Sequence, residues 1–174
     1  MRLTLPFLLT TLLFLTACHQ RPNPNDGIWK VEVATTECNG ICQRTLTVID
    51  SNLNYHFYGG RVAKGGDYGR KGKIFGFYTA KASRRFWDSL TTRLIDNNYQ
   101  SLDTGYQKEN DVQFIEILVH YGNKAKLIHG YNIDMPDGIR STIEWVANSY
   151  ATIRPVATKD TFKTDIKDWE GWGR

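Results

Sequence analysis

The sequence predicts an α+β fold in which an antiparallel sheet of about five to six strands carries two helices packed on one face. Three observations carry that expectation. Short stretches between residues 28 and 78, and again from 112 to 129, alternate apolar and polar side chains at the period of a strand. Two stretches, from about 80 to 96 and from 136 to 150, repeat apolar residues at helical spacing. The alternating stretches come in pairs separated by turn residues, which pairs them antiparallel and leaves one sheet face for the helices to cover.

Ile28, Val31 and Val33, with Trp29 among them, make the first strand. Leu46 and Val48 alternate with Thr45 and Thr47 in the second, and Asp50-Ser51-Asn52 turns the chain into a third strand with Leu53, Tyr55 and Phe57 on one face. Gly59-Gly60 ends it, and a glycine-rich loop through Gly72 leads to a shorter extended piece from Ile74 to Tyr78. Thr79 is the expected cap of a first helix whose stripe is Phe86, Leu90 and Leu94, widened by Trp87, and Asn97-Asn98 should end it. Val112 to Tyr121 is the clearest strand, because Ile115, Ile117, Val119 and Tyr121 share one parity with Gln113. Gly122-Asn123 suits a two-residue primed turn, so Lys124 to His129 returns antiparallel, and that register sets Glu116 opposite His129. Pro136 and Asp137 open a second helix with Ile139, Ile143, Val146 and Tyr150 on its apolar face.

Composition bounds the function. With 174 residues, 41% hydrophobic, 13% aromatic and 23% charged, the chain has the make-up of one compact domain rather than a disordered one. No apolar run reaches the roughly 20 residues of a spanning helix. Three cysteines are too few for a disulfide-built scaffold, and a net charge of +4 is too mild to imply nucleic acid as a partner.

The first residues set a location. Arg2 and the uncharged, mostly apolar stretch from Leu3 to Ala17 form a secretory signal too short to span a bilayer. It ends in Leu15-Thr16-Ala17-Cys18, which resembles the lipobox of bacterial lipoproteins. That resemblance implies a signal peptide over 1–17, lipid on Cys18 and a membrane partner reached through the anchor. The acyl chains expected there would hold the protein durably, since each buried CH₂ contributes about 0.8 kcal/mol. His19, in place of an acidic residue, implies the outer membrane facing the periplasm. His19 to Asp26, with Pro22 and Pro24 and nothing apolar to bury, completes a tether over 18–27. The α+β domain is expected over 28–153, and 154–174, with its alternating charges, reads as a loose polar tail whose Trp169 and Trp172 dock on the domain or on a partner.

Within the domain, Cys38-Asn39-Gly40-Ile41-Cys42, then Tyr58-Gly59-Gly60, Phe86-Trp87-x-x-Leu90, Tyr106, Asp111 and the Pro136-led helix form a pattern. It resembles a family of domains of unknown function found in bacterial lipoproteins, with a Cys-x-Gly-x-Cys-Pro opening. Gln43 departs from that pattern, which has proline there. The resemblance implies a fold and an envelope location and supplies no catalytic residues.

Three constellations could carry chemistry. Cys38 and Cys42, with Gly40 between them, are expected to close a small ring as a structural disulfide in an oxidising compartment, with a thiol-redox pair or half of a zinc site as the alternatives. The zinc reading needs two further ligands that no nearby His pair offers, so neither metal nor cofactor is expected. Glu116 and His129 could be the acid/base pair of a periplasmic enzyme or a solvated cross-strand ion pair; no nucleophile motif or phosphate loop accompanies them. Finally, Arg61, Lys64, Arg70, Lys71, Lys73, Lys81, Arg84 and Arg85 stand against one acid, Asp67, with Tyr68, Phe75, Phe77 and Tyr78 among them. Such a concentration would attract an anionic envelope component or an acidic protein. The expectation is therefore a lipid-anchored, non-catalytic binding module that works through this basic loop, with an enzyme or redox protein as the alternative.

Overall fold

The computed structural model describes residues 27–63, 69–106 and 112–167. Its strands are β1 (Ile28–Thr35), β2 (Gln43–Asp50), β3 (Asn54–Val62), β4 (Gly76–Lys81), β5 (Gly105–Tyr106), β6 (Phe114–Tyr121), β7 (Lys124–Tyr131) and β8 (Val156–Thr158). The helices are α1 (Arg84–Asp96), α2 (Asp137–Ala147) and α3 (Tyr150–Ile153), with a 3₁₀ turn at Tyr99–Ser101. All strands join one sheet in the order β5-β7-β6-β1-β2-β3-β4-β8.

This corrects the predicted architecture. The sheet has eight strands rather than five or six, it is mixed because β5 runs parallel to β7, and a third helix follows the second. The reasons are local. β5 is two residues long, too short to show alternation, and the chain reaches it from the 3₁₀ turn rather than from a hairpin. β8 sits where alternating charge predicts a tail. Tyr150 fits the period of α2, but α2 stops at Ala147 with Asn148 as its cap, and Tyr150 begins α3. Ser83 rather than Thr79 caps α1: its side chain accepts the Phe86 N–H at 3.1 Å, while Thr79 lies within β4.

Strand parity divides the side chains between two faces. Val31, Val33, Ile49, Tyr55, Phe57, Ile115, Ile117, Val119 and Ile128 point to the first face and bury against Phe86, Trp87, Leu90 and Leu94 of α1 and Ile139, Ile143 and Val146 of α2. Phe86 stacks on Trp145 at 4.4 Å between ring centres, which locks the two helices together. Tyr55 extends through this core to Ser149 Oγ at 2.9 Å, and burial pushes its hydroxyl pKa upward. Two glycines are needed for close approach: a Cβ on Gly59 would lie 1.9 Å from Ile74 O, and one on Gly130 would lie 2.0 Å from Tyr106 O, where β5 joins the sheet.

The second face carries Glu32, Ala34, Leu46, Val48, Glu116, Leu118, Leu127 and His129, as the register pairs of β1, β2, β6 and β7 require. No helix covers it. Residues 159–167, which follow β8, cross it instead, with Ile166 buried against Ala34, Leu46, Val48 and Leu118. Phe162 packs on His56 and Phe77 at 5.3 and 5.9 Å. The described part of the expected tail is thus a strap; Trp169 and Trp172 lie outside the described residues, as do the signal segment, Cys18 and all of the tether before Gly27.

Candidate functional site: a groove beside an ionic latch

Among the described residues, the strap leaves the β6–β7 half of the second face open. There the register is the one the Gly122-Asn123 turn dictates: Tyr121 pairs with Lys124, His120 with Ala125 and Glu116 with His129. A groove of about 640 Å³ lies over this pair, walled by Phe114, Leu118, Leu127 and Tyr131 and closed at one side by Asp165, Ile166 and Lys167 of the strap. Glu116 is only 3% exposed, so the solvated cross-strand pair, one of the two arrangements the sequence allows, is not what this register produces. The Phe114 ring meets His129 edge-on at 5.7 Å and Tyr131 at 5.6 Å. Apolar walls with a few convergent polar groups, at a volume within the roughly 300–1,000 Å³ of ligand pockets, are the features of a small-molecule site.

Next to the groove lies a cluster that sequence reasoning missed. Glu32, in the middle of β1, is fully buried. Its Oε1 accepts from Lys30 Nζ at 2.9 Å and meets His120 Nε2 at 2.8 Å; its Oε2 accepts from Thr164 Oγ1 at 2.5 Å and from the Asp165 N–H at 2.9 Å. Lys30 also pairs with the Asp165 carboxylate, whose Oδ2 is 3.7 Å from His120 Nε2. Four donors on one carboxylate is what a buried charge requires. Burial disfavours the Lys30 ammonium, but hydrogen bonds to Asp165 and Glu32 outweigh it and its pKa rises. The same hydrogen bond from Lys30 draws Asp165 below the usual carboxylate range. Glu32, His120 and Asp165 bring ligand atoms within 4.8 Å of one another, a spacing open to a metal, but the Lys30 ammonium occupies the cation position among them.

The strap is held by the apolar contacts of Phe162 and Ile166 and by three polar ones, in which Glu32 accepts from the Thr164 hydroxyl and the Asp165 N–H and the Asp165 carboxylate pairs with Lys30. A sequence signal did exist: a Lys-x-Glu pair inside an otherwise apolar strand has to find partners somewhere.

The other predicted residues fall elsewhere. Cys38 and Cys42 are bonded, with Cα atoms 5.3 Å apart, in the loop between β1 and β2. Gln43, just after it, donates from Nε2 to Ile74 O at 2.8 Å and Gly60 O at 3.1 Å, tying the disulfide loop to the close approach at Gly59. The basic run divides across β4. Arg61, Arg70, Lys71 and Lys73 lie at the disulfide end, while Lys81, Arg84 and Arg85 lie at the opposite end, five residue steps or roughly 17 Å away. At the disulfide end Arg61 pairs with Glu37 at 3.0 Å, Arg70 lies 4.6 Å over the Phe75 ring, and Lys73 donates to Ile41 O, its pKa lowered by burial. Lys64, Asp67, Tyr68 and Asp111 are outside the described residues.

An eight-stranded mixed sheet with helices on one face, a strap and a ligand-sized groove on the other, and a disulfide at one end defines the class: a strapped α+β domain. Residues 29–150 match the family described as a domain of unknown function, DUF6438, and the chain belongs to it. The matched region holds β1 to β7, α1 and α2, and ends before β8 and the strap. A comparison with curated proteins found no match.

Proposed function

We propose that this protein is a lipid-anchored envelope protein whose domain binds a small, largely apolar molecule in the groove over Glu116 and His129. The observation that carries the reading is the groove itself: apolar walls of ligand-pocket size around a buried carboxylate and an imidazole set directly opposite each other. The lipobox-like Leu15-Thr16-Ala17-Cys18 supports the anchor. The chain enters the domain at Gly27, whose carbonyl accepts from the Gly122 N–H at 3.1 Å, at the end of the sheet opposite the disulfide. The Thr36, Phe114 and Tyr131 end of the groove lies at the other end of the sheet from that entry point. Arg70 and Lys71, at that same end of the sheet, favour a ligand or partner that also carries negative charge.

Two measurements test this on the full chain expressed in a bacterium. Intact mass of the membrane fraction should show a species beginning at Cys18 with acyl mass; a free chain beginning elsewhere overturns the anchor. An alkyl alcohol bearing a photoactivated diazirine should label the 112–131 segment, and Leu127→Trp, which fills the groove, should cut that labelling at least fivefold at unchanged melting temperature. Equal labelling of both chains overturns the groove.

A further inference from the structure

We propose that residues 163–167 are displaceable, and that the face beneath them extends the groove into a site for an acidic amphiphile: an apolar chain ending in a carboxylate. This rests on the groove being a ligand site. The strap's own side chains outline the chemistry. Asp165 sets a carboxylate on the Lys30 ammonium with His120 Nε2 at 3.7 Å, and the neighbouring Ile166 fills an apolar seat made by Ala34, Leu46, Val48 and Leu118. Asp165, Ile166 and Leu118 also line the groove, so seat and groove are continuous.

A ligand carboxylate that replaces Asp165 leaves the charge of the cluster unchanged. Lys30, His120 and Glu32 face that position from β1 and β6, and Lys167 is the next charge along the strap. An ammonium head would instead meet Lys30, and a neutral head would leave it short of one anionic partner. The apolar chain then runs over Leu118 and Leu127 toward Phe114. Glu32 keeps Lys30 and His120, and water takes the positions of the Thr164 hydroxyl and the Asp165 N–H. Phe162 sets the hinge, because it stays packed on His56 and Phe77 while the residues beyond it lift.

The experiment uses the full chain in vesicles with laurate, dodecylamine and dodecanol below their self-association concentrations, each competing with the diazirine probe, while amide exchange is followed at Asp165 and Ile166. Laurate should displace the probe and speed exchange at those two amides at least tenfold; dodecylamine and dodecanol should displace it without that change. Lys30→Met should weaken laurate at least tenfold and leave dodecanol unaffected, and Asp165→Asn, which removes the internal competitor, should strengthen laurate. If laurate displaces the probe while exchange at Asp165 and Ile166 stays slow, the strap is a fixed wall and this inference is overturned although the groove reading survives. If none of the three displaces the probe, both fall together.

Discussion

Helices α1 and α2 and the strap cover opposite faces of one sheet by opposite means. The helix face buries Trp87, Leu90, Leu94, Ile139 and Ile143 against a mainly apolar surface, in which Tyr55 and the buried threonines of β1 and β2 are the polar exceptions. The strap face buries Ile166, with Phe162 half-buried beside it, and fixes the strap with a carboxylate, an ammonium and an imidazole of the sheet. Apolar burial is non-directional and strong, so the helix face supplies stability. Ionic and hydrogen-bonded contacts are directional and weaker in net effect, so the strap face supplies a specific arrangement that can come apart without unfolding the domain.

Each side of this contrast can be broken separately. Trp87→Ala should have the largest effect, about 3–5 kcal/mol lost from global stability, read as a lower denaturant midpoint with all probes moving together. Glu32→Gln comes next. It weakens the acceptor shared by four donors at a cost of about 1–3 kcal/mol, and that cost should appear as fast amide exchange over 163–167 with a smaller change in the global midpoint. If Glu32→Gln instead unfolds the domain, the two faces are not separable. Ser83→Ala removes the cap of α1 and should cost about 1 kcal/mol, felt on the helix face alone. Acid gives the smallest and most selective effect. Asp165 has a pKa held below its ordinary value, chiefly by Lys30, so its contribution is present above the unfolded carboxylate value near 3.9 and is lost as pH falls through the lower folded value. Exchange protection at Ile166 should therefore stay level from pH 7 to about pH 4 and fall below that, and a loss centred near pH 6 would contradict the assignment.

The two faces also differ in how far the sequence reveals them. The helix face follows from periodicity: Phe86, Leu90 and Leu94 recur at helical spacing, and Ile115, Ile117 and Val119 share one strand parity. The pairing of Glu116 with His129 follows from one turn, because Gly122-Asn123 fixes the register of everything behind it. What pattern cannot carry is a contact between distant segments made by side chains of low hydrophobicity. Thr164 and Asp165 lie more than a hundred residues from Glu32, in a stretch whose charges suit solvent equally well. Strands of two and three residues escape for a related reason, since β5 and β8 are too short to show alternation. The basic run misleads in the other sense: adjacency in sequence suggests one patch, and the extension of β4 separates its two halves.

The shortness of β5 and β8 has a consequence for how copies of this protein meet. A sheet whose outermost strand is long and flat offers a row of unused amide and carbonyl groups on which a second chain can nucleate. Among the described residues β5 pairs only with His129 and Gly130, so Lys124 to Ile128 of β7 have no outer neighbour in the sheet, and there Lys124 and Lys126 supply the charge that blunts an edge. An edge that carries two lysines within five residues is a poor seed for fibres.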